Sequence, residues 1–303
     1  MEEKNKKSIL VVGSVAMDTI ETPFGRAEKV LGGSAVYFGI SAGLFTKINL
    51  VGVVGEDFPQ NYYELIQTKN INLDGLEKAE GETFFWEGSY SENINEAITK
   101  ETRLNVFAQF RPKIPEQWSK SDIVFLANID PDLQLSVLSQ VQGKPLVVCD
   151  TMNLWIKTKK DSLCELFRHV DIVILNEGEA KLLTGEVMLL KAAKKIKEYG
   201  PNWIIIKKGE HGVFAFNGSE FVMLPSYPIE QVVDPTGAGD SFAGGFLGSL
   251  SAQPELDRES IRNALLYGTV VASFAIESFS VNRLCEIGLT QIEARLKDFI
   301  QKL

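Results

Sequence analysis

Cysteine is scarce in this sequence, and histidine scarcer. The three cysteines, Cys149, Cys164 and Cys285, are scattered, with no CxxC pair. An odd, dispersed set argues against a disulfide framework and fits a reduced, cytoplasmic setting. Two histidines, His169 and His211, are too few for a zinc site of linked His and Cys ligands. Basic residues are in deficit: 31 Lys and Arg stand against 40 Asp and Glu, a net charge of −9. Such a surface repels nucleic-acid backbones and anionic lipid heads, so the expected partner is a small molecule. No apolar run has the length of a signal peptide or membrane span. The charged start Met1–Lys7 leads straight into the short run Ile9–Val12, as a solvated tail before a first strand would. Also missing are a Walker GxxxxGK[ST] motif, a GxGxxG motif, internal repeats, heptads and any linker rich in Pro, Gly and Ser.

What is present is an alternation. The chain has 303 residues, 45% hydrophobic and 23% charged, which suits a single α/β domain over 1–303. Ile9–Val15, Ile48–Val54, Asp122–Ile129, Leu146–Asp150, Asp171–Leu175 and Trp203–Lys207 are short apolar runs, as expected of strands buried on both faces. Ser34–Phe45, Tyr62–Thr68, Leu133–Val141 and Ala192–Tyr199 read as helices between them. This order implies a doubly wound, mostly parallel sheet. Glu82–Phe110 breaks the rhythm. Around a polar turn at Ser91–Glu96, Ile98, Lys100, Thr102, Leu104 and Val106 alternate with period two. Residues 82–110, joined by about 19–31, are expected to form a small β lid. The alternative is an edge extension of the core sheet.

Chemistry concentrates in Asp234-Pro-Thr-Gly-Ala-Gly-Asp240, followed by the small-residue stretch Ser241–Gly248. A Gly-Ala-Gly turn opening a helix presents successive backbone N–H groups to an anion. Asp240 falls in the first helical turn, placed to take a proton from a hydroxyl approaching the same anion. Cradle and base together suit phosphoryl transfer. A capped helix with an ordinary first-turn Asp explains Asp240 alone, but not the small residues on both sides of it.

Asp234–Asp240 resembles the C-terminal signature of the ribokinase/PfkB carbohydrate kinases, and the resemblance extends over most of the chain. It implies a ribokinase-like fold with ATP and Mg²⁺ as cofactors. In that family Asp240 is the base, and the amides of Gly237, Ala238 and Gly239 form the anion hole, with Thr236 beside the nucleotide. Asp234 corresponds to the residue whose loop holds a monovalent cation such as K⁺ in some members. Pro235 stands where Thr or Ser is more usual, and it fixes φ and removes an N–H. Val12–Asp18 resembles the first strand with its sugar-binding Asp18. Gly32 and Gly33 resemble the paired-glycine substrate motif, and Tyr37 takes a place where ribokinases often carry Asn. Asn176-Glu-Gly-Glu179 resembles the Asn-x-x-Glu motif near Mg²⁺. A capping box with Asn176 as N-cap and Glu179 at N3 explains the same spacing equally well. Lys207, Gly209 and Gly212 resemble the turn beside the nucleotide, where a plain hairpin turn is the alternative. Tyr267–Ser280, including Gly268 and Ser273, resembles the adenine-side helix and loop, with Phe279 where Gly is frequent. Asn153, at the end of the strand Leu146–Asp150, is a substrate-contact candidate. Arg103 and the lid aromatics Phe84, Phe85, Trp86 and Tyr90 either cover the acceptor or simply pack.

The expected activity is ATP-dependent phosphorylation of a sugar-like alcohol. A nucleoside kinase of the same fold is the alternative, because Tyr37 and the lid aromatics suit a base as well. More distant are a serine hydrolase using Ser241 with His169 or His211, and a non-catalytic sensor. The hydrolase lacks GxSxG, since residue 243 is Ala. A sensor has no need of Asp240, Asn176 and Glu179. A lid sheet pairing between subunits is the route expected to a homodimer.

Overall fold

The computed structural model describes residues 6–91, 94, 97–253 and 255–303, so the first five residues of the charged start and most of the Ser91–Glu96 turn lie outside the described residues. The strands are β1 (Ile9–Val12), β2 (Ala16–Thr22), β3 (Gly25–Gly32), β4 (Ile48–Val54), β5 (Ile71–Lys78), β6 (Phe84–Ser89), β7 (Ile98–Arg103), β8 (Ile123–Leu126), β9 (Leu146–Asp150), β10 (Ile172–Asn176), β11 (Trp203–Lys207), β12 (Val213–Phe216) and β13 (Phe221–Leu224). Nine of them form one sheet in the order β13-β12-β11-β10-β9-β8-β1-β4-β5. From β11 across to β5 every pairing is parallel, and β12 alone runs the other way, antiparallel to both β11 and β13. Chain order reverses at β1, which lies between β8 and β4. In open α/β sheets, ligands bind beyond the carboxyl ends of the strands at such a switch.

The remaining four strands make a second sheet, β3-β2-β6-β7, which is the lid. It starts earlier than the sequence suggests. The run Ile9–Val15 ends as a core strand at Val12, and the chain re-enters extended structure in the lid at Ala16. The break is held by reciprocal bonds between Ser14 and Ser34. Ser34 N donates to Ser14 Oγ at 3.0 Å, and Ser14 N donates to Ser34 Oγ at 3.2 Å. The expected alternation through Val106 stops at Arg103, where a 3₁₀ turn, Asn105–Gln109, replaces it. Asn105 adopts a left-handed φ of 48° and its Nδ2 donates to Thr83 O, bending the chain back toward the core.

Apolar clusters cover both faces of the large sheet. The helices Ser34–Gly43, Ala238–Leu250 and Arg258–Ala275 pack on one face. Glycines let them approach closely: a Cβ on Gly244 would come within 2.6 Å of Phe38 O, and one on Gly245 within 2.8 Å of Val271 Cβ. The small-residue stretch after Asp240 is thus a packing requirement. It presses the helix that carries Asp240 between two others and fixes where its N-terminus points.

Candidate active site

The carboxyl ends of β9, β10 and β11 deliver Asp150, Asn176 and Lys207 to one edge of the sheet. The helix Ala238–Leu250 begins over the same edge, with its N-cap Gly237 at φ 73°. That left-handed conformation favours glycine, and sterics demand it as well. A Cβ on Gly237 would lie 2.3 Å from the ring of Tyr37, so the loop rests directly on the tyrosine face. The loop is tied at both ends of Asp234. Its Oδ1 accepts from Thr236 N at 2.9 Å, and its Oδ2 accepts from Ser280 N at 3.0 Å.

Of the three amides expected to form the anion cradle, that of Ala238 already donates to Pro235 O at 3.2 Å. Among the described residues, the N–H groups of Gly237 and Gly239 meet no backbone or side-chain acceptor. The two amides of the turn left without a protein acceptor are thus those of Gly237 and Gly239, while that of Ala238 closes the turn. Asp240 is partly accessible, yet hemmed in enough that burial pushes its carboxyl up to about 8. Asp150 and Glu179 add to the rise, while Lys207 and the Asp240 amide oppose it.

Lys207 Nζ donates to Asp150 Oδ2 at 2.8 Å. The same ammonium lies against the cradle, since a Cβ on Gly239 would be 2.9 Å from Nζ. Burial works to lower the Lys207 pKa, but Asp150 and Glu179 outweigh it and the net shift is upward. Asn176 and Glu179 form the capping box: Asn176 N donates to Glu179 Oε2 at 2.6 Å, and Glu179 N donates to Asn176 Oδ1 at 2.8 Å. Burial, and then Asp150, push Glu179 up to about 7, with Lys207 and the Asn176 amide opposing. Capping leaves Glu179 Oε1 outside the box, so the structural role does not exhaust the residue.

Asp18 reaches the site from the lid side. A Cβ on Gly32 would come within 1.8 Å of its carboxylate, so the paired glycines let this acid lie flat on the backbone. Burial pushes Asp18 up to about 8, helped by Asp234 and Asp240 and opposed by the Gly33 amide. Tyr37 is buried with its hydroxyl unpartnered among the described residues. Its pKa rises through burial and then through Asp234, Asp18, Tyr90 and Asp240. From the end of β6, Tyr90 joins this group. Its hydroxyl accepts from Thr236 Oγ1 at 3.1 Å, a direct bond between lid and cradle loop.

Other expected residues fall elsewhere. Gly268 and Ser273 are buried in helix packing. A Cβ on Gly268 would lie 2.8 Å from Phe242 O, and Ser273 Oγ donates to Val270 O and accepts from Arg295. Both lie within helix packing in this structure. Gly209 and Gly212 have left-handed φ values of 54° and 86°, and they close a tight turn in which Lys208 N donates to Gly212 O. Asn153 is exposed at the start of the short helix Asn153–Thr158. Arg103 stacks over Phe85 at 4.2 Å, beside a hollow of about 330 Å³ that Met17, Lys29, Asp57 and Tyr62 also line. Ser241 Oγ is buried with no partner among the described residues, while His169 and His211 are exposed and lie beside Glu165 and Glu210, away from it. The hydrolase reading is thereby removed. Asp150 is the residue that sequence reasoning missed. It ends a buried parallel strand, the same signal that drew attention to Asn153 three positions later.

A family model described as pfkB family carbohydrate kinase matches residues 6–286. The chain belongs to that family. PfkB kinases are ATP-dependent phosphotransferases acting on hydroxyl groups, and this PfkB chain is one of them. It is 33% identical over 264 residues to a cytidine kinase of Thermococcus kodakarensis, spanning 85% of this chain and 93% of that protein. The fold is shared with a Burkholderia thailandensis nucleoside kinase solved with inosine, with a TM-score of 0.81, 17% identity, and 97% and 99% of the two chains covered. A putative ribokinase II from E. coli, solved with ATP and Mg²⁺, superposes with a TM-score of 0.79 at 17% identity, covering 96% of this chain and 99% of that one. Among the described residues, no helix is long and apolar enough to cross a membrane.

Proposed function

We propose that this PfkB kinase transfers the γ-phosphoryl group of ATP to a ribosyl hydroxyl of a nucleoside, with Asp240 as the base. The observation that carries the chemistry is a hemmed-in carboxyl one residue beyond a pair of unengaged amides at a helix N-terminus. A carboxyl raised to about 8 holds a proton well once it has taken one. The N–H groups of Gly237 and Gly239 face the charge that builds on the phosphoryl oxygens, and the helix dipole adds to them. Asp18 accepts hydrogen bonds from acceptor hydroxyls and fixes which of them faces Asp240. The lid closes over the acceptor and excludes water, with Tyr90 tying it to Thr236.

Mg²⁺ fits the edge of the sheet. Asp150 raises both Glu179 and Asp240 while Lys207 opposes the rise in each, so the edge is a negative cluster that a divalent cation would relieve. No three of the described His, Cys, Asp and Glu side chains converge tightly enough to cage a metal. Glu179 Oε1, with Asn176 orienting it, would therefore hold the ion together with nucleotide phosphates and water, as suits this metal. When bound, it neutralises phosphate charge. Asp234 gives both oxygens to backbone amides beside Pro235, so nothing in that loop argues for a monovalent cation.

For the acceptor, the cytidine kinase relative favours a nucleoside. So does the hollow between lid and core, with Phe85, Tyr62 and Arg103 at its wall and Met17 next to Asp18 in the chain. An ADP-release screen over nucleosides, free pentoses and hexoses tests the reading. Turnover with a nucleoside, and loss of it in Asp240→Asn, is the expected result. Turnover with free sugars alone would replace the acceptor, and full turnover in Asp240→Asn would remove the mechanism.

A further inference from the structure

The Lys207–Asp150 pair is in an unusual place. An ammonium at a helix N-terminus meets the positive end of the dipole and the N–H groups that point the same way. Left to itself, the Lys207 side chain would be driven out of that position. Asp150 keeps it there. Asp150 is buried at the end of β9, and its Oδ1 accepts from its neighbour Thr151 N at 2.7 Å. Its carbonyl oxygen accepts from Gln134 Nε2 at 3.1 Å, and the same buried amide donates to Leu126 O and Ala127 O at the end of β8. Asp150 is thus clamped from two directions, with Oδ2 left to hold Lys207 at 2.8 Å. The lysine stem runs along Gly239, whose Cβ would meet Nζ, Cε and Cδ at 2.9, 3.7 and 3.9 Å. Any side chain at residue 239 would displace the ammonium.

We propose that Asp150 is a positioning residue for phosphoryl transfer, holding the Lys207 ammonium beside Gly239, where it contacts the phosphoryl group in transit. The proposal rests on the phosphotransferase reading above. In the step, the acceptor oxygen bonds to the γ-phosphorus as the bond from that phosphorus to the β–γ bridging oxygen breaks. The electron pair leaves on the β-phosphate of ADP, and the acceptor proton passes to Asp240. Charge on the three transferring oxygens is shared by the Gly237 and Gly239 amides and Lys207. The cradle thereby gains a cation exactly where two amides alone leave one oxygen unserved, and Asp150 keeps that cation from drifting to Asp240 or Glu179.

The test compares Asp150→Asn, Lys207→Met, Lys207→Arg and the double variant Asp150→Asn/Lys207→Met. It measures kcat, KM for ATP, and affinity for ADP with and without aluminium fluoride, a mimic of the transferring group that needs no acceptor. Expected is a loss in kcat of about 10²-fold for Lys207→Met, with KM for ATP changed by less than about threefold. Gained affinity on adding aluminium fluoride disappears, while ADP affinity stays. Asp150→Asn follows in the same direction, the double variant is no slower than Lys207→Met, and Lys207→Arg recovers part of the loss. Because removing one member of a buried pair can unfold a chain, the charge-balanced double variant carries the test if a single variant does not fold. Wild-type kcat in Lys207→Met, equal losses of ADP and ADP–aluminium fluoride affinity, or additive losses in the double variant would overturn the proposal. Failure of the wild-type protein to bind ADP–aluminium fluoride more tightly than ADP would instead count against the phosphotransferase reading itself.

Discussion

The sheet edge and the lid are built on opposite plans. At the sheet edge each residue has its place set by something rigid. Gly237 rests on the Tyr37 ring, Gly239 on the Lys207 stem, and Asp234 is bonded through both oxygens. The lid is looser. Every residue of β7 is exposed, and Arg26, Glu21, Glu28, Glu87 and Lys100 form a web of ion pairs on its open side. Exposed pairs of this kind contribute little stability. The difference assigns tasks. Geometry that must hold to a fraction of an ångström belongs to packed strand ends, and selection among acceptors belongs to a sheet that can shift. If that division is right, changes at the edge should cost kcat and changes in the lid should cost KM.

The largest effect is expected at Asp240. Asp240→Asn keeps the shape of the helix start and removes the proton acceptor, so kcat should fall by about 10²–10⁴-fold with nucleotide affinity nearly intact. A coupled assay of ADP release and calorimetric titration of ADP separate the two quantities. A fall in affinity equal to the fall in kcat would place Asp240 in nucleotide binding and blur the division.

Gly237→Ala comes next. The new methyl meets the Tyr37 ring and forces a left-handed conformation on a residue with a side chain. Overpacking of this kind typically costs about 1–3 kcal/mol, read as a lower midpoint in thermal or urea unfolding. Activity should fall further than stability, because the Gly237 amide moves with the loop. Adding Tyr37→Leu should recover part of the stability. No recovery in the double variant would show that backbone conformation, and not the ring, governs the loop.

How much of this could be read beforehand divides along the same line. The edge was legible because its motif is local. Asp234–Asp240 carries the proposed cradle and base in one short segment, and strands such as β4 and β11 appear with the boundaries that their apolar runs suggest. The capping box at Asn176 and Glu179 is local too, so its spacing was visible although its two roles were not separable. Asp150 was missed because its meaning depends on Lys207, 57 residues away and two strands over. The Tyr90–Thr236 bond spans 146 residues and joins the lid to the loop before Ala238, which no periodicity records. Gly268 shows the reverse difficulty: a packing glycine and a ligand-facing glycine look alike until the neighbouring helix, here with Phe242 against Gly268, is in place.

Titration sharpens the comparison further. Asp240 in the folded chain is pushed up to about 8, above its ordinary range near 4. At low pH both folded and unfolded chains hold the proton, and the buried neutral acid costs little. As pH rises through the ordinary range the unfolded chain loses its proton while the folded chain keeps it. Stability therefore declines with rising pH until the folded group also ionises near 8. Asp240→Asn does not carry this penalty. Its unfolding midpoint should exceed that of the wild type by more at pH 9 than at pH 5, with a difference on the order of 1–3 kcal/mol. A gap that stays constant with pH would mean that Asp240 is better solvated than its surroundings suggest. Asp18, also raised to about 8, should behave in the same sense, so the comparison is cleanest in an Asp18→Asn background.

The smallest effect should come from the one bond that joins the two regions. Tyr90→Phe removes the hydroxyl that accepts from Thr236 Oγ1 and leaves the ring in place. A single hydrogen bond of this type is worth about 0.5–1.5 kcal/mol, so KM for the acceptor should rise by roughly 2- to 12-fold. Thr236 N still donates to Asp234, so the cradle loop keeps its own anchor and kcat should stay within about twofold of wild type. Steady-state kinetics with the acceptor varied at saturating ATP read both numbers. If kcat falls instead, lid and cradle move as one body, because the bond that was cut would then be holding the amides in line and not merely holding the lid down.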